Sequence, residues 1–454
     1  MQSWIAHEMQ GTKMPDKRLT KRLSKILTDL TQNSAESIPA ACQGWSETKG
    51  VYRFCDNPRV SASEILSGHQ AATIDRISKQ TMTLVVQDTT FLNFSQENAT
   101  GVGTLKRTQS DQYLLHLSVA FSPSRDNLGV LDAKFWQRSE EKVAHLREKK
   151  PIEEKESVRW LESYEQACEV QKQCSETLVL NVADREGDIH EWFQLMQNKP
   201  LEERAELLIR AKSNRRIHVG NDQYNYLWEE LSTEAVTGQM AITTPRSGNK
   251  PSRSAQLDIR YKEVEFCGRQ YKNVEPVFMY AVYAKEINPP KGEKAIEWML
   301  LTSLPVEELE AAKAVIGWYC ARWEIEIYFR VLKQGCQVEE LKLETDERLL
   351  NCISVYMMIA WRIHAITMQS REHPDIPCDV FFSEREWKTI YLMQKKSKPP
   401  NRPPTLNEIT RMLAQLGGFL ARNRDGEPGV KNVWRGYHAL QNYLEALDIA
   451  QVAL

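Results

Sequence analysis

Two β-rich runs, each followed at once by an aspartate, most constrain the fold of this 454-residue chain. Residues 83–87 (TLVVQ) precede Asp88, and residues 178–183 (LVLNVA) precede Asp184. Because the ends of neighbouring strands lie close together, carboxylates at such positions are well placed to share divalent cations. Mg²⁺ prefers carboxylate oxygens, and two such ions serve phosphodiester chemistry. An aspartate after a strand also commonly begins a turn or caps a helix, so the pattern alone leaves both interpretations open.

The middle of the chain is predicted to be rich in strands. Two further apolar segments, 113–121 and 129–136, follow the first aspartate. Between about residues 215 and 285, three more segments have strand composition and are separated by basic, turn-rich loops: 239–243, 255–261 and 277–283. Residues 140–156 mix both charges densely, which predicts a solvated and partly helical connection.

Both ends of the chain are predicted to be helical. Within residues 1–70, apolar residues recur at helical spacing: Leu19, Leu23, Ile26, Leu27 and Leu30. Basic residues surround them, which fits either a DNA-contacting face or an ordinary solvated one: Lys13, Lys17, Arg18, Lys21, Arg22 and Lys25. After a basic, proline-rich segment at 395–404, a last helix carries an apolar stripe: Trp434, Tyr437, Leu440, Leu444 and Leu447. Such a stripe packs either within its own chain or against a second copy.

Composition excludes several protein classes. The nine cysteines are scattered and form no C-x-x-C pair, so reduced thiols of a cytoplasmic protein are expected rather than disulfides or a structural zinc site. The N-terminus lacks the charged and apolar regions of a signal peptide. Residues 353–366 are too short to span a bilayer and contain Arg362 and His364, so they predict a core helix and no membrane segment. A net charge of −2 is compatible with a nucleic-acid enzyme whose basic residues gather on one surface.

Residues 318–333 (WYCARWEIEIYFRVLK) are predicted to form one helix that is apolar around most of its circumference. At about 100° per residue, five polar side chains fall within about 80° of one another. They are Tyr319, Arg322, Glu326, Arg330 and Lys333. An ordinary solvated face with modest i±4 ion pairs is the alternative. Because the rest of the helix is apolar, we expect it to be packed on several sides and its polar face to line a charged cleft. A carboxylate among cations suits a metal ligand beside a phosphate backbone.

These motifs resemble those of a known family. The spacing Tyr319-x2-Arg322-x3-Glu326-x6-Lys333 is similar to the YREK signature of one branch of bacterial insertion-sequence DDE transposases. Residues 184–188 (DREGD) resemble that branch's DREAD box, with Gly187 in place of alanine. The likeness runs from about residue 4 to the C-terminus through further motifs: 52–58, 88–90, 286–293, 298–303 and 416–419. The chain departs from the family in a shorter N-terminus and in residues 97–111.

The resemblance implies roles for the matched residues. Asp88, Asp184 and Glu326 are expected to be an acidic triad that binds two Mg²⁺ ions, with Mn²⁺ expected to substitute. DNA contacts are expected from Tyr319, Arg322, Arg330 (where the family has lysine), Lys333 and Arg210. Trp298 is expected to stabilise a flipped base during hairpin formation. Without the resemblance, Arg210 would be taken as a surface arginine and Trp298 as a core tryptophan.

The resemblance also implies an architecture. The expected fold is α/β: an RNase H-like catalytic core with a β-rich insertion, flanked by helical N-terminal and C-terminal domains. The implied domains are a DNA-binding domain at 1–70, a catalytic domain at 71–370 with its insertion at about 215–300, and a dimerisation domain at 371–454. The implied partners are transposon ends, target DNA and a second copy of the chain in a synaptic complex. Because two DNA ends must be held together and the family pairs its subunits through the C-terminal region, the apolar stripe of the last helix is expected to face that second copy. A cytoplasmic, nucleoid-associated bacterial location follows.

Three functions fit these features. The first is a cut-and-paste DNA transposase that hydrolyses transposon ends, forms and resolves hairpins, and transfers strands into target DNA. The second is a catalytically inactive DNA-binding inhibitor of transposition, but this chain retains both the triad and the basic N-terminal region. The third is a general metal-dependent nuclease, which would not need the N-terminal and C-terminal regions. We therefore expect a transposase.

Overall fold

The leucine periodicity near the N-terminus produces a group of amphipathic helices. The computed structural model describes residues 3–32, 37–42, 44–94, 112–137, 151–220, 223–244, 252–266 and 275–453. Its N-terminal helices span Ser3–Glu8 (α1), Lys17–Gln32 (α2), Ile38–Ala41 (α3), Trp45–Cys55 (α4) and Ala62–Ile77 (α5). Four of the periodic residues of α2 are buried: Leu23, Ile26, Leu27 and Leu30. The lysines and arginines of the same helix are exposed, so the predicted amphipathic helix is confirmed.

The chain divides into two compact units. The first comprises residues 1–79, 89–141 and 324–454, and the second comprises residues 80–88 and 142–323. The division between residues 88 and 89 falls inside a strand, which therefore contributes residues to both units.

Strands dominate the second unit and part of the first. They span Met82–Asn93 (β1), Gln112–Phe121 (β2), Asn127–Trp136 (β3), Leu178–Ala183 (β4), Glu206–Arg210 (β5), Arg216–His218 (β6), Tyr224–Tyr226 (β7), Gly238–Thr244 (β8), Arg253–Phe266 (β9), Val277–Glu286 (β10) and Glu297–Thr302 (β11). In the first unit the strand order is β3-β2-β1, and in the second it is β1-β4-β5-β11-β10-β9-β6-β7, with β8 paired to β9. β1, β4 and β5 are parallel neighbours, whereas β11 is antiparallel to β5. The chain is therefore a mixed α/β protein.

The predicted strands are all present, but one prediction about their ends is wrong. The run at 83–87 does not stop at Asp88, because β1 continues to Asn93. Thr89, Thr90 and Phe91 follow the aspartate, and β-branched and aromatic residues favour extended backbone. Of the charged segment 140–156, only residues 151–156 are described, and they contain a short 3₁₀ turn at Ile152–Glu154. The predicted helical part at 140–150 lies outside the described residues.

The remaining helices lie between and after the strands. In the second unit they span Val158–Gln173 (α6), His190–Gln197 (α7), Leu227–Thr233 (α8) and Leu309–Ala321 (α9). Trp323–Arg330 (α10) begins where the second unit ends. The first unit contains Asp346–Glu372 (α11), Glu384–Lys395 (α12), Leu406–Leu416 (α13) and Val430–Ala453 (α14).

Helix α11 is the core helix that residues 353–366 predicted. Thr345 caps its N-terminus by accepting from the backbone N–H of Arg348. The helix is long and apolar enough to cross a membrane, but 94% of its most apolar window is buried inside the protein.

The apolar stripe of the last helix packs mainly within its own chain. Tyr437 and Leu440 of α14 join a buried cluster with residues of α12 and α13, Leu444 packs against that cluster, and Trp434 is buried. Only Leu447 of the predicted stripe is exposed. The expectation that this stripe faces a second copy is therefore corrected. Burial against α12 and α13 removes the same apolar surface from water without a partner.

Two glycines let α13 and α14 approach closely. A Cβ atom at Gly436 would lie 1.8 Å from the carbonyl oxygen of Leu413, and one at Gly417 would lie 2.0 Å from that of Asn432. Gly418 has a φ of 89°, which lies in the left-handed region that favours glycine. The motif at 416–419 is therefore explained by packing and backbone conformation at the end of α13.

Candidate active site

Parallel pairing of β1 and β4 places Asp88 and Asp184 at corresponding positions of the two neighbouring segments. β1 and β4 pair with Val86 opposite Val182. Two residues further along each segment, Asp88 lies within β1 and Asp184 follows directly on the end of β4. Because side chains alternate with a period of two, both aspartates occupy equivalent positions on the same face. The structure thus brings together two of the three predicted metal ligands in the second unit.

Arg210 continues this row onto the next strand. β4 and β5 pair with Ala183 opposite Ile209, so Asp184 lies opposite Arg210, the last residue of β5. The guanidinium Nη2 of Arg210 donates to the backbone carbonyl of Glu297 at 3.1 Å. Arg210 is half-buried, so the cation opposite Asp184 is held against the protein rather than free in solvent.

Two residues at the end of α9 complete a charged cluster. Nη1 of Arg322 donates to Oδ2 of Asp88 at 2.9 Å, and the Arg322 side chain is only 8% exposed. The Arg322 guanidinium lies 5.8 Å from the centre of the Tyr319 ring. Burial raises the pKa of the Tyr319 phenol, although the charges of Arg322 and Arg210 and a hydrogen bond from Arg210 act to lower it. The phenol therefore keeps its proton at neutral pH within a cationic cluster.

Trp298 is packed against this cluster. It is 4% exposed, and its ring makes edge-on contacts with Tyr319 at 5.3 Å and with Trp323 at 6.3 Å between ring centroids. In this structure the indole is a core side chain, and its expected contact with a flipped base remains a prediction.

The prediction of one regular helix over 318–333 is wrong. Helix α9 ends at Ala321, and the backbone N–H of Arg322 reaches the Tyr319 carbonyl three residues back at 3.2 Å. This tighter bond interrupts the four-residue pattern before α10 begins. After α10 the chain makes a π turn over Val331–Gly335, closed by a 2.9 Å bond from the Cys336 N–H to the Val331 carbonyl. The polar residues of the predicted face therefore lie on successive short elements.

The residues of this face differ in burial. In the second unit Tyr319 and Arg322 are buried. In the first unit Glu326 and Arg330 of α10 are exposed, and Lys333 is half-buried in the π turn. Burial lowers the pKa of Lys333, opposed by the charge of Glu339. π turns often lie at functional sites, so the position of Lys333 is compatible with its expected role.

The turn that carries Asp184 is closed by its own side chain. Oδ1 of Asp184 accepts from the backbone N–H of Glu186 at 2.8 Å and caps a 3₁₀ turn over Arg185–Gly187. A Cβ atom at Gly187 would lie 2.6 Å from the Cβ of Ala183 and 3.0 Å from the Trp192 ring. Glycine at position 187 therefore has a steric reason in this chain.

The donor chemistry of the aspartate pair fits a divalent cation. Asp88 and Asp184 supply hard carboxylate oxygens on one face, which Mg²⁺ and Mn²⁺ favour. Across the ranges that the structure describes, no three His, Cys, Asp or Glu side chains form a metal-holding group. One oxygen of Asp88 is engaged by Arg322.

Sequence reasoning missed the importance of Asp188. In the sequence Asp188 stands out only as the last residue of the DREGD motif, yet its carboxylate is fully buried and paired with Arg215 at 2.6 Å. The signal available in the sequence was a second acid four residues after Asp184. No spacing rule connects it to Arg215.

Comparisons with known proteins match three segments of the chain. Residues 1–60 match a family model described as transposase DNA-binding, residues 165–361 match the transposase DDE domain, and residues 358–452 match the transposase Tn5 dimerisation domain. Among solved structures, the chain is similar to a piggyBac transposase in a synaptic complex with hairpin DNA. The match has 10% sequence identity and a TM-score of 0.35, and covers 81% of this chain. This chain spans 65% of the length of that transposase chain.

Proposed function

We propose that this chain is a DNA transposase and that it moves DNA by a cut-and-paste route. Its matched segments follow the order DNA-binding, DDE and Tn5-type dimerisation. The observation that carries the proposal is the row of Asp88, Asp184 and Arg210 on adjacent strands, with Arg322 bonded to Asp88. The finer assignment, to the YREK branch and nearest to the transposon-five transposase, is part of the proposal and rests on the sequence motifs.

The same proposal covers the architecture. The strand orders that share β1 support an RNase H-like core. We assign DNA binding to residues 1–70, catalysis to 71–370 with a β-rich insertion at about 215–300, and dimerisation to 371–454. A nucleoid-associated, cytoplasmic location follows from action on bacterial DNA.

Asp88, Asp184 and Glu326 are the residues proposed to hold two divalent ions, Mg²⁺ or Mn²⁺. When bound, such ions stabilise the charge that develops on oxygen atoms at a phosphodiester under attack. The donor chemistry of the two aspartates supports this assignment, and Glu326 enters it through the family motif.

The cationic residues of the cluster are proposed to hold DNA phosphates. Arg322 and Arg210 are fixed by hydrogen bonds to Asp88 and to the Glu297 carbonyl, so little side-chain entropy is lost when a phosphate arrives. Their guanidinium groups suit bidentate contacts with phosphate oxygens. Tyr319 keeps its hydroxyl proton and can donate a hydrogen bond to a phosphate oxygen of the DNA backbone. Arg330 and Lys333 are assigned the same role from the motif.

The reaction follows in-line phosphoryl transfer. Water attacks the phosphorus at the transposon end, and the 3′-oxygen leaves as a hydroxyl. That hydroxyl attacks a phosphorus of the opposite strand. The P–O bond from that phosphorus to the flanking DNA breaks, and the new bond between the two strands closes a hairpin. A second water opens the hairpin, and the freed 3′-hydroxyl attacks target DNA. Each step exchanges one P–O bond for another, so no covalent protein intermediate is required.

A strand-joining assay tests this function. The purified chain is incubated with Mg²⁺, labelled DNA carrying the ends of its own element and a supercoiled target plasmid. We expect nicked, hairpin and joined products in that order. Nicks without joined product would indicate a general nuclease, and binding without cleavage would indicate an inhibitor.

In the same gel, Trp298→Phe should lower the hairpin fraction more than the nicked fraction if Trp298 stacks on an extruded base. An equal loss would return Trp298 to a purely structural role.

The exposed end of α14 is proposed to contribute to the dimer. Residues 445–450 are exposed, including Leu447 at 38% and Ile449 at 64%. Deletion of the whole of α14, residues 430–454, would not test this end alone. It would remove Tyr437 and Leu440 from the buried cluster and so unfold the region.

Removing only residues 445–454 should therefore leave the unfolding temperature unchanged and single-end binding intact, while paired-end complexes are lost. Native gels with labelled end DNA and light scattering measure these outcomes. Val236→Ser, which changes an exposed apolar residue outside α14 (43% exposed), is the control and should pair ends normally. Normal paired complexes from the shortened chain would remove this segment from the interface.

A further inference from the structure

The carboxylate of Asp188 joins two segments of the second unit. Its Oδ2 accepts from the backbone N–H groups of Lys212 at 2.8 Å and Ser213 at 2.7 Å. Its Oδ1 accepts from Nε and Nη2 of Arg215 at 3.1 and 2.6 Å. Nη2 of Arg215 also donates to the Asp188 carbonyl at 2.9 Å. One buried carboxylate thus receives four hydrogen bonds from residues 212–215.

The partner of this carboxylate is itself held in place. The Arg215 side chain is 12% exposed, and its guanidinium lies 5.3 Å from the centre of the Phe193 ring and 5.9 Å from that of Phe266. A buried acid is stable only when it is paired and hydrogen-bonded, and here both conditions are met. The guanidinium of Arg215 and the carboxylate of Asp188 are therefore both held in place and shielded from solvent.

The two segments that Asp188 joins each carry a residue of the proposed active site. Asp188 ends the turn that begins at Asp184, and the residues it binds begin two positions after Arg210. At Ala211 the chain still donates to the Met299 carbonyl of β11 at 2.7 Å. The next two N–H groups, those of Lys212 and Ser213, donate to Asp188 instead. The direction in which the chain leaves β5, immediately after Arg210, is thus set by this carboxylate.

We infer that Asp188 is a positioning residue, which fixes the backbone after Arg210 against the turn after Asp184 and so sets the Arg210 guanidinium beside that aspartate. Its effect on DNA cleavage rests on the proposed function, whereas the backbone tie itself does not. Asp188 touches neither DNA nor metal in this role. Residues that orient the groups of a metal site through hydrogen bonds change activity by about 10- to 100-fold when they are replaced.

Asp188→Asn tests the tie with little change in volume. An asparagine has one acceptor oxygen, so it can serve the two backbone N–H groups or Arg215 but not both sets. Glu286→Gln is the matched control, because Glu286 also accepts a bidentate contact from an arginine, Arg253, and a backbone N–H, that of Ile296 at 3.0 Å. Both variants should lose similar thermal stability.

Hydrogen exchange provides a readout that does not depend on activity. Asp188→Asn should speed exchange at the amides of Lys212 and Ser213 by about tenfold or more, since opening of that segment becomes easier. Glu286→Gln should leave these two amides unchanged. Unchanged exchange at both amides in Asp188→Asn would overturn the inference whether or not the chain cuts DNA.

A double-mutant cycle then tests the route through Arg210. Asp188→Asn should lower the nicking rate at saturating Mg²⁺ by about 10- to 100-fold, while Glu286→Gln lowers it less than about twofold. In an Arg210→Ala background, Asp188→Asn should cost less than about twofold more, because residues acting through one another are not additive. Equal losses in the two backgrounds, or equal losses from Asp188→Asn and Glu286→Gln, would overturn the positioning role. Absence of nicking by the unaltered chain would instead contradict the proposed function.

Discussion

Asp184→Ala is expected to lower the rate of strand cleavage by roughly three orders of magnitude or more, while binding of end DNA changes little. The carboxylate is proposed to hold metal rather than to contact DNA, and catalytic groups that act as a unit show losses of at least this size. The side chain also caps the turn at Arg185–Gly187, so a stability loss of about 1 kcal/mol accompanies the change. That loss is too small to abolish cleavage by unfolding.

Single-turnover nicking of labelled end DNA, with gel-shift binding beside it, measures this effect. Glu186→Gln is the control, because Glu186 is an exposed acid in the same turn. It should cleave at nearly the normal rate. Asp88→Asn and Glu326→Ala should behave like Asp184→Ala. Substantial Mg²⁺-dependent cleavage by any of the three would remove that residue from the proposed triad.

Glu8→Gln is expected to destabilise the first unit by about 3 kcal/mol, the usual cost of removing one member of a buried ion pair. Glu8 is 1% exposed and accepts from Nη1 and Nη2 of Arg76 at 2.7 and 3.2 Å. Its Oε2 lies 2.6 Å from Nδ1 of His69. The backbone N–H of Val130 donates to Nε2 of His69 at 2.9 Å, so Nδ1 carries the ring proton and donates it to Glu8. The network ties α1 to α5 and β3.

Urea unfolding followed by circular dichroism at pH 7.5 measures this loss. His7→Gln is the control, since His7 also lies beside Glu8, at 3.5 Å, but has a side chain that is 49% exposed. It should change stability by less than about 0.5 kcal/mol. A Glu8→Gln variant as stable as its parent would show that Arg76 and His69 find other partners without cost.

The same network predicts how stability depends on pH. Burial alone would raise the pKa of Glu8, but the hydrogen bonds and charges of His69 and Arg76 outweigh it and lower that pKa to about 2. Its stabilisation is complete above the ordinary value of 4.5 and is lost as pH falls toward 2.

His69 adds a second pH dependence. Burial lowers the pKa of His69 below its ordinary 6.5, although Glu8 acts to raise it. As pH falls, His69 therefore takes up a proton in the unfolded chain before it does so in the folded chain. Stability consequently also declines as pH falls below 6.5. Glu8→Gln should flatten the decline below pH 4.5.

The sequence predicted the elements that local patterns determine. Asp88 and Asp184 were identified because each follows an apolar run, and parallel register does place them in one row. The buried face of α2 and the core helix α11 followed from periodicity. The strands and helices could be predicted because their periods are properties of a short segment of chain, whereas the roles of the two aspartates stay a prediction.

The features that the sequence could not predict depend on contacts between distant segments. The sequence places Arg322 in the middle of one continuous helix, but its guanidinium binds Asp88, 234 positions earlier, and its N–H closes a tighter turn. The stripe at Tyr437 and Leu440 has the same periodicity whether it faces α13 or a second chain. The pairing of Asp188 with Arg215 likewise requires the strand order β4-β5 to be known.

The close approach between Gly187 and Ala183 has a consequence for how this motif can change over time. Their side-chain positions lie on either side of Asp184, and methyl groups at both would be 2.6 Å apart. A chain that gains alanine at 187 while keeping Ala183 must shift the backbone that carries the aspartate. Alanine at position 187 is therefore accommodated only after the backbone has shifted or after position 183 has become glycine. The two positions are expected to change together, although three residues separate them in the sequence.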